Sequence, residues 1–231
     1  RVEGHESTFS RVIWPLPEPP PPVTLVMPTR NFLPLLRVAA RSILEKTDYP
    51  DFELLIVDND SDDPETLAFF EEILSGDARV RVLRVAGAFN YSLLNNRAVA
   101  ATERPVVCLI NNDVQTIGGG WLREMVSQAI RPEIGAVGAK LYYPTGQIQH
   151  AGVVIGMTGC AGHPFRGLAS DYDTPGGRAG VVQNWSAVTA ACLVVERRKY
   201  LEVGGLDETV FAVALNDVDF CLKLGAAGYR N

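Results

Sequence analysis

The stretch VTLVMPTRN at residues 23–31 decides the fold class, because a short apolar run is followed at once by polar side chains. Two later stretches have the same design: ELLIVDNDSDD at 53–63 and VVCLINNDV at 106–114. Segments with helical spacing of apolar residues separate them. This β-α-β-α order predicts an α/β fold with a mainly parallel central sheet and helices on both faces.

The same periodicity predicts the elements along the chain. Strands are expected at 23–27 (ended by Pro28), 53–57, 79–85, 105–110, 135–139 and within 149–155. Helices are expected at 35–45, from the Asp63-Pro64 cap to about 74, and at 92–101, 121–130, 197–203 and 216–227. Residues 1–22 contain a proline run that favours polyproline II, and they are interpreted as a strap or linker with Trp14 docked on the surface.

Composition excludes several classes of protein. The 231 residues have a formal net charge of −6, which argues against a nucleic-acid partner but allows a phosphate ligand bridged by a divalent cation. The four cysteines contain no CxxC pair, and three lie in apolar runs, as expected for free thiols of a reducing compartment. No signal peptide or transmembrane stretch is recognised, which predicts a cytoplasmic domain whose membrane association depends on segments outside this sequence.

Polar clusters follow three of the predicted strands. Carboxyl ends of parallel strands share one edge of a sheet, so these clusters predict a ligand-binding rim. Each alone has a plainer interpretation as a helix cap or a turn. A dinucleotide site is not favoured, because the first strand is followed by Pro28-Thr29-Arg30-Asn31, which contains no glycine.

These stretches, together with GGLDE at 204–208 and NDVDFCLKLGAAGYR at 216–230, resemble family-2 glycosyltransferases of the GT-A fold. FNYSLLNN at 89–96, VGAKLYYPTGQIQHAGVVIG at 137–156 and NWSAVTAACLVVERR at 184–198 resemble the branch found in bacterial O-antigen and rhamnan-type polysaccharide assembly. The resemblance implies one GT-A domain over 23–231. Its nucleotide-binding half is expected at about 23–140 and its loop-rich acceptor half at about 141–231.

The resemblance also implies roles for individual residues. Asp113 matches the metal-binding acid of a DXD-type motif that holds Mn²⁺ or Mg²⁺, although Asn111 and Asn112 stand where many relatives have acids. Asp217 matches the general base of inverting members. The residues expected to bind the nucleotide sugar are Pro28, Thr29, Arg30, Asn31, Asp58, Asn59, Asn95, Asn96, Asn111 and Asn112.

Several assignments have a structural alternative. Asp217 and Asn216 would also suit the start of a helix, where acids interact with the helix dipole. The residues expected to contact the acceptor are Trp185, Asp207 and Asn216. Trp185 is a candidate for stacking on an acceptor sugar or for core packing, and Asp207 is expected to point into the cleft from a turn at Gly204-Gly205. His150 and His163 are candidates for contacting donor phosphate or metal, although a structural role is favoured.

The expected function is inverting transfer of a hexose or deoxyhexose from a UDP- or dTDP-linked donor to a saccharide acceptor. Two alternatives remain open: a sugar nucleotidyltransferase, and a degenerate saccharide- or nucleotide-binding module without activity. Relatives continue beyond the last helix into a strand and a histidine that completes the metal site. The sequence is therefore expected to be a C-terminally truncated part of a larger multidomain protein. Convergence of Asp58, Asp113 and Asp217 on one cleft is the geometric test.

Overall fold

The computed structural model describes residues 2–4, 10–171 and 174–231. The strands are β1 (Val2–Gly4), β2 (Ser10–Val12), β3 (Val23–Thr29), β4 (Phe52–Asp58), β5 (Val80–Arg84), β6 (Val106–Ile110), β7 (Ala136–Gly138), β8 (Leu141–Tyr142), β9 (Ile148–His150), β10 (Val154–Ile155), β11 (Ala161–Gly162) and β12 (Cys192–Glu196). The α-helices are α1 (Leu33–Lys46), α2 (Pro64–Gly76), α3 (Tyr91–Ala100), α4 (Trp121–Ala129), α5 (Arg197–Glu202) and α6 (Asn216–Ala226), and short 3₁₀ helices span Met157–Gly159 and Pro175–Gly180.

A six-stranded sheet forms the centre of the molecule, in the order β5-β4-β3-β6-β12-β7. The four strands from β5 to β6 pair in parallel, whereas β12 pairs antiparallel with both β6 and β7. The predicted α/β class and mainly parallel sheet are therefore confirmed. The parallel strands end at the same edge, which places Thr29, Asp58 and the residues after Ile110 along one rim.

The predicted end of β3 at Pro28 is wrong, because the strand continues to Thr29. Pairing between β3 and β6 ends at Val26, while pairing between β3 and β4 continues to Thr29 and Asp58. Alternate residues of a strand direct their backbone groups to opposite neighbours, and Thr29 bonds toward β4 through Asn59. The backbone of Pro28 therefore faces β6, with which pairing has already ended at Val26. Its missing N–H consequently costs no hydrogen bond of the sheet.

Both faces of the sheet are covered by helices, as the alternating pattern predicts. One apolar core contains Leu25 and Leu54 of the sheet together with residues of α1, α2 and α4, and the other contains Val26 and Leu55 with residues of α3, α5 and α6. These four strand residues have no exposed surface, and they alternate between the two cores along each strand. None of the helices in the described part of the chain is long and apolar enough to cross a bilayer.

The single strand expected within 149–155 is also wrong. The structure has two short strands there, β9 and β10, which pair in separate two-stranded sheets with β8 and β11. Gly152 lies between them with φ of +117°, and a Cβ at this position would lie 2.2 Å from the Trp185 ring. A left-handed glycine under an indole ring breaks the strand, which periodicity alone does not reveal.

The proline-rich segment before β3 lies against the domain. The guanidinium of Arg131 lies 4.1 Å from the centroid of the Trp14 ring, and the hydroxyl of Tyr49 donates to the carbonyl of Pro21 at 2.7 Å. Leu16 packs against the first core. These contacts agree with the expected docking of Trp14 on the surface.

Candidate functional site

A pocket of about 350 Å³ opens at the carboxyl edge of the parallel strands, where a ligand is expected in an open α/β sheet. Five parts of the chain form it: the end of β3, the start of α3 with the residue before its cap, the segment after β6, the segment before β12, and the start of α6 with the loop before it. Its lining residues are Pro28, Thr29, Phe89, Tyr91, Asn111, Asn112, Thr189, Ala190, Ala191, Val213, Asn216 and Asp217.

The predicted strand-end clusters after β3 and β6 meet in this pocket. The side-chain amide of Asn112 donates to the hydroxyl of Thr29 at 2.9 Å, and the backbone N–H of Asn111 donates to the carbonyl of Ala191 at 3.0 Å. Pro28 contributes a further part of the wall. Of residues 28–31 and 111–112, which are predicted to share one rim, four therefore line the pocket together: Pro28, Thr29, Asn111 and Asn112.

Asn31 and Arg30 do not line the pocket. The Asn31 side chain joins the loop after β3 to the loop after β4: its Oδ1 accepts from the backbone of Asp62 at 3.0 Å and of Asp63 at 3.1 Å, and its Nδ2 donates to the Asp62 carboxylate at 2.8 Å. Asn31 and the following Phe32 both have positive φ, 51° and 59°, so two consecutive non-glycine residues are held in the left-handed region. Arg30 is exposed on the same loop.

Asp217 lies in the first turn of α6 and reaches the pocket beneath the segment 189–191. Its Oδ2 accepts a hydrogen bond from the backbone N–H of Ala190 at 3.1 Å, and its Oδ1 accepts from the N–H of Val218 at 2.9 Å. The preceding residue, Asn216, is buried and donates from its side chain to the carbonyl of Val213 at 3.0 Å. The carboxylate is thus oriented by a contact from outside its own helix, which a helix-start role alone does not require.

Asp58 opens onto a neighbouring cavity instead. Its side chain is 1% exposed, its Oδ1 accepts from the backbone N–H of Ser61 at 3.0 Å, and its Oδ2 lies 3.5 Å from the Arg84 guanidinium. The cavity that Asp58 lines also contains Arg84, Leu67 and Phe70. The expected convergence of three carboxylates on one cleft is therefore not observed for Asp58, because its position on β4 turns it toward the end of β5.

Asn59 joins the end of β4 to the loop after β5. Its side-chain amide donates to the carbonyls of Val85 and Gly87, both at 3.0 Å, while its Oδ1 is buried without a hydrogen-bond partner in the described part of the chain. A buried amide oxygen without a partner loses a hydrogen bond that water would otherwise provide.

Asp113 does not line the pocket either, so of the three carboxylates Asp217 alone does. Asp113 is exposed and follows directly after the pocket residue Asn112. A turn closed by the hydrogen bond from the N–H of Val114 to the carbonyl of Asn111, at 3.3 Å, presents it. Within the residues that the structure describes, no group of three or more His, Cys, Asp or Glu side chains is placed to hold a metal ion. A divalent cation fits this turn if one carboxylate holds it and diphosphate and water oxygens fill its other positions, as Mg²⁺ commonly prefers.

Asn95 and Asn96 lie away from the pocket lining. Asn95 is fully buried in α3 and donates from its side chain to the carbonyl of Tyr91 at 2.8 Å. Asn96 joins α3 to the turn after α5: its Oδ1 accepts from the hydroxyl of Tyr200 at 2.6 Å and the N–H of Leu206 at 3.1 Å, and its Nδ2 donates to the carbonyl of Leu206 at 2.9 Å. Both functions of the Asn96 amide thus have partners within the protein, whereas Oδ1 of Asn95 is buried without a hydrogen-bond partner in the described part of the chain.

Two of the three expected acceptor residues also lie outside the pocket lining. Trp185 stacks over Gly152 and contacts Phe165 with ring centroids 5.8 Å apart, which is the packing role. Asp207 accepts from the backbone and hydroxyl of Thr209, and these hydrogen bonds lower the pKa of its carboxyl to about 2. The left-handed turn expected at Gly204-Gly205 is present, but Asp207 caps the following turn. Asn216 alone of the three lines the pocket.

Several lining residues were not predicted from the sequence. Tyr91 is partly buried and donates from its hydroxyl to the carbonyl of Ala190 at 3.0 Å. Burial of the hydroxyl and the nearby Asp217 carboxylate raise the pKa of its phenol. Phe89 and Val213 form an apolar side of the opening, 49% and 56% exposed. FNYSLLNN contains two of these residues, and its aromatic pair next to a helix start was the available signal. Thr189, Ala190 and Ala191 gave none.

Known protein sequences resemble this chain along most of its length. Residues 24–180 match the family described as Glycosyl transferase family 2. Protein y4gI of Sinorhizobium fredii is 51% identical over 221 residues, covering 96% of this chain and 24% of that protein. The O-antigen biosynthesis protein RfbC of Myxococcus xanthus is 43% identical over 211 residues, covering 91% of this chain and 16% of that protein. The chain thus spans a quarter or less of the curated relatives it matches.

Solved structures show the same fold. Mannosyltransferase PcManGT from Pyrobaculum calidifontis, in complex with GDP-Man and Mn²⁺, superimposes with a TM-score of 0.65 at 18% identity, covering 95% of this chain and 57% of that one. GalNAc-T7 with UDP, GalNAc and Mn²⁺ gives a TM-score of 0.67 at 14% identity, covering 91% of this chain and 41% of that one. The architecture is that of GT-A glycosyltransferases, and the family match over residues 24–180 makes this chain a member of glycosyltransferase family 2.

Proposed function

We propose that this domain transfers a sugar from a nucleoside diphosphate to a saccharide hydroxyl with inversion at the anomeric carbon, as a step of polysaccharide or O-antigen assembly. The observation that supports this most directly is the position of Asp217. Its carboxylate lies in the same pocket as Thr29, Asn111 and Asn112 at the strand-end rim, the nucleotide side of such folds.

The chemistry of transfer matches the two sides of this pocket. The acceptor hydroxyl must lose its proton as it attacks the anomeric carbon, and a carboxylate oxygen held in place can accept that proton. The hydrogen bond from Ala190 fixes one oxygen of Asp217, and the second is bonded only to the N–H of the next residue. A base on one side of the sugar and a diphosphate on the other produce attack opposite the leaving group, which inverts the anomeric configuration.

The donor diphosphate requires positive charge, which the residues lining the pocket do not supply. None of them is a lysine or arginine. A Mn²⁺ or Mg²⁺ ion held by Asp113 would stabilise the charge that develops on the leaving phosphate. The amides of Asn111 and Asn112 would orient the phosphate or ribose oxygens of the donor. Both structural neighbours contain Mn²⁺, which agrees with this proposal.

A second candidate is a saccharide- or nucleotide-binding module without activity. The observation that favours it is the pair Asn111 and Asn112, which leaves Asp113 as the single carboxylate of that turn.

We also propose that the domain works in a reducing compartment such as the cytoplasm. Three buried cysteines with free thiols support this: Cys108, Cys192 and Cys221.

The Asp217→Asn substitution tests the proposed function. It keeps the shape and the acceptor atom for the Ala190 N–H but removes the basic carboxylate, so kcat should fall roughly 10² to 10⁴-fold while donor affinity changes little. The assay measures Mn²⁺-dependent sugar release and transfer from UDP-, dTDP- and GDP-sugars, with NMR of the anomeric proton to establish the configuration of the product.

Asp219→Asn is the matched control, because Asp219 lies one residue beyond Val218 on α6 and pairs with Lys223 at 3.1 Å instead of lining the pocket. Its kcat should remain within about twofold of the parent, since partly exposed ion pairs contribute little. Transfer that survives in Asp217→Asn, or a product of retained configuration, would reject the proposed mechanism. Nucleotide binding without turnover in the parent would favour the second candidate.

A further inference from the structure

A pair of histidines lies behind the wall of the pocket and has no part in the proposed transfer step. His150 ends β9 with 2% of its surface exposed, and His163 follows β11. Their Nδ1 atoms are 2.9 Å apart, and the rings meet edge to face with centroids separated by 5.0 Å. A hydrogen bond at this distance requires one ring to donate and the other to accept.

The direction of that hydrogen bond follows from the other nitrogen of His150. Its Nε2 faces the backbone N–H groups of Gly152 at 3.3 Å and of Thr189 at 3.4 Å. Amide N–H groups only donate, so Nε2 must be the unprotonated acceptor. The imidazole proton of His150 then resides on Nδ1 and points at Nδ1 of His163. Within the residues that the structure describes, no third His, Cys, Asp or Glu side chain joins the pair to form a metal site.

Both rings are neutral near pH 7. Burial lowers the pKa of His150 to about 3, with a further contribution from His163. Burial also lowers the pKa of His163, with Arg166 acting in the same direction, whereas Asp217 and a hydrogen bond to the Gly152 backbone raise it. A neutral pair keeps a fixed tautomer across the working pH range, which a titrating histidine would not.

The segment 189–191 connects this pair to Asp217. The N–H of Thr189 faces His150, and the next N–H, that of Ala190, donates to Oδ2 of Asp217 at 3.1 Å. The carbonyl of Ala190 accepts from the Tyr91 hydroxyl, and the carbonyl of Ala191 accepts from the N–H of Asn111. Two consecutive amides thus point to two different side chains, one in each direction from the segment.

We propose that His150, oriented by His163, is a positioning residue for Asp217. It holds the N–H of Thr189, which fixes the plane of the segment 189–191 so that the Ala190 N–H meets the carboxylate. The catalytic consequence rests on the proposed role of Asp217, but the contact between His150 and the segment does not. Displacement of a reacting group by about 1 Å typically lowers the rate by about 10²-fold.

The test compares His150→Gln with His150→Leu. The glutamine side chain can present an oxygen acceptor to the N–H of Thr189, whereas leucine keeps bulk and removes the acceptor. His150→Leu should lower kcat by roughly 10 to 100-fold with the donor KM within about twofold, and His150→Gln should recover most of the loss. Gln149→Leu is the matched control, since Gln149 is exposed on the same strand, and its kcat should equal that of the parent.

Two measurements without turnover complete the test. Amide hydrogen exchange at Thr189 and Ala190 should accelerate in His150→Leu and remain slow in His150→Gln. Long-range ¹H–¹⁵N spectra of the parent should show His150 protonated on Nδ1 and constant from pH 5 to pH 8, as expected for a pKa of about 3. An Nε2–H tautomer, a titration near pH 6.5, or unchanged kcat and exchange in His150→Leu would overturn the proposal.

The two proposals fail in different ways. If Asp217→Asn remains active while exchange at Thr189 and Ala190 still responds to His150→Leu, the general base is misassigned and the positioning of the segment is supported. If Asp217→Asn is inactive but hydrogen exchange at Thr189 and Ala190 does not change in His150→Leu, the role of Asp217 as general base is supported and the positioning role of His150 is rejected.

Discussion

At the scale of single residues, Lys199 shows how a buried charge is accommodated outside the pocket. Its side chain is fully buried on α5, and its Nζ donates to the carbonyls of Ala129, Arg131 and Ile134 and pairs with Glu196 at 2.6 Å. The carbonyls at and just beyond the C-terminal end of α4 have no partners within the helix, so a cation suits this position. Burial nevertheless lowers the pKa of Lys199, with Glu196 opposing the effect.

Lys199→Met should therefore destabilise the fold although methionine is more apolar. The carbonyls of Ala129 and Ile134 lose their side-chain donor, and Glu196 loses its buried ion-pair partner, which we expect to lower the free energy of unfolding by about 2 to 4 kcal/mol. Urea denaturation followed by circular dichroism measures this. Lys223→Met is the control, because Lys223 is 32% exposed and, within the residues that the structure describes, forms its ion pair with Asp219. This substitution should cost no more than about 0.5 kcal/mol. Equal losses in the two variants would contradict the assigned role.

At the scale of elements, α3 anchors the loop that leads into α6. Asn96 bonds to Tyr200 and to both backbone groups of Leu206, and the hydroxyl of Ser92 donates to the carbonyl of Phe211 at 2.6 Å. The loop ends at Leu215, whose φ of 61° places a non-glycine residue in the left-handed region immediately before Asn216. Such a conformation persists only where neighbouring contacts enforce it. The position of Asp217 therefore depends on the attachment of α3.

Asn96→Ala should loosen this loop. Loss of both amide functions should lower the free energy of unfolding by about 1 to 3 kcal/mol and speed hydrogen exchange over 206–215, while nucleotide affinity stays within about twofold. Arg97→Ala, an exposed change on the same helix, should alter stability by less than about 0.5 kcal/mol. A large loss of nucleotide affinity with unchanged stability would instead support the nucleotide contact expected for Asn96 from the family resemblance.

The order of elements could be predicted from the sequence because local signals dominate there. The helix expected at Asp63-Pro64 begins at Pro64, and the Asp63 carboxylate accepts from the N–H of Thr66 at 2.9 Å, as a cap should. Strand β3 passing through Pro28 could not be predicted, since it depends on where pairing with β6 ends. The antiparallel insertion of β12 between β6 and β7 likewise depends on contacts distant in sequence.

The same distinction separates the site residues. Asn111 and Asn112 were predicted because they follow a strand, and the strand-end rule places them on the rim. Asp58 obeys the same rule, yet Arg84 at the end of the adjacent strand draws it toward another cavity. Ala190 has no side chain that signals a function, and only its backbone N–H contributes. Sequence patterns indicate the chemistry of side chains. Most residues that line this pocket lie in loops, whose positions depend on packing contacts that the patterns do not show.

At the scale of the whole molecule, charge determines how a donor binds. The domain has a net charge of −6, and its pocket contains the Asp217 carboxylate without a lysine or arginine in its lining. A diphosphate entering such a pocket meets repulsion unless a cation accompanies it. Binding of nucleoside diphosphates should therefore depend strongly on Mn²⁺, and dependence on the base should reveal which donor the domain prefers.

A thermal-shift panel of UDP, dTDP and GDP with and without Mn²⁺ tests this expectation. A ligand present at about 100 times its Kd stabilises the folded state by about 2.7 kcal/mol, which for a domain of this size corresponds to a rise in Tm of roughly 5 to 10 °C. Asp113→Ala should abolish the part of the shift that needs Mn²⁺, whereas the exposed change Asp48→Ala should not. A Mn²⁺-dependent shift that is retained in Asp113→Ala would show that Asp113 is not the metal ligand. A shift as large without metal as with it would show that protein groups alone neutralise the diphosphate.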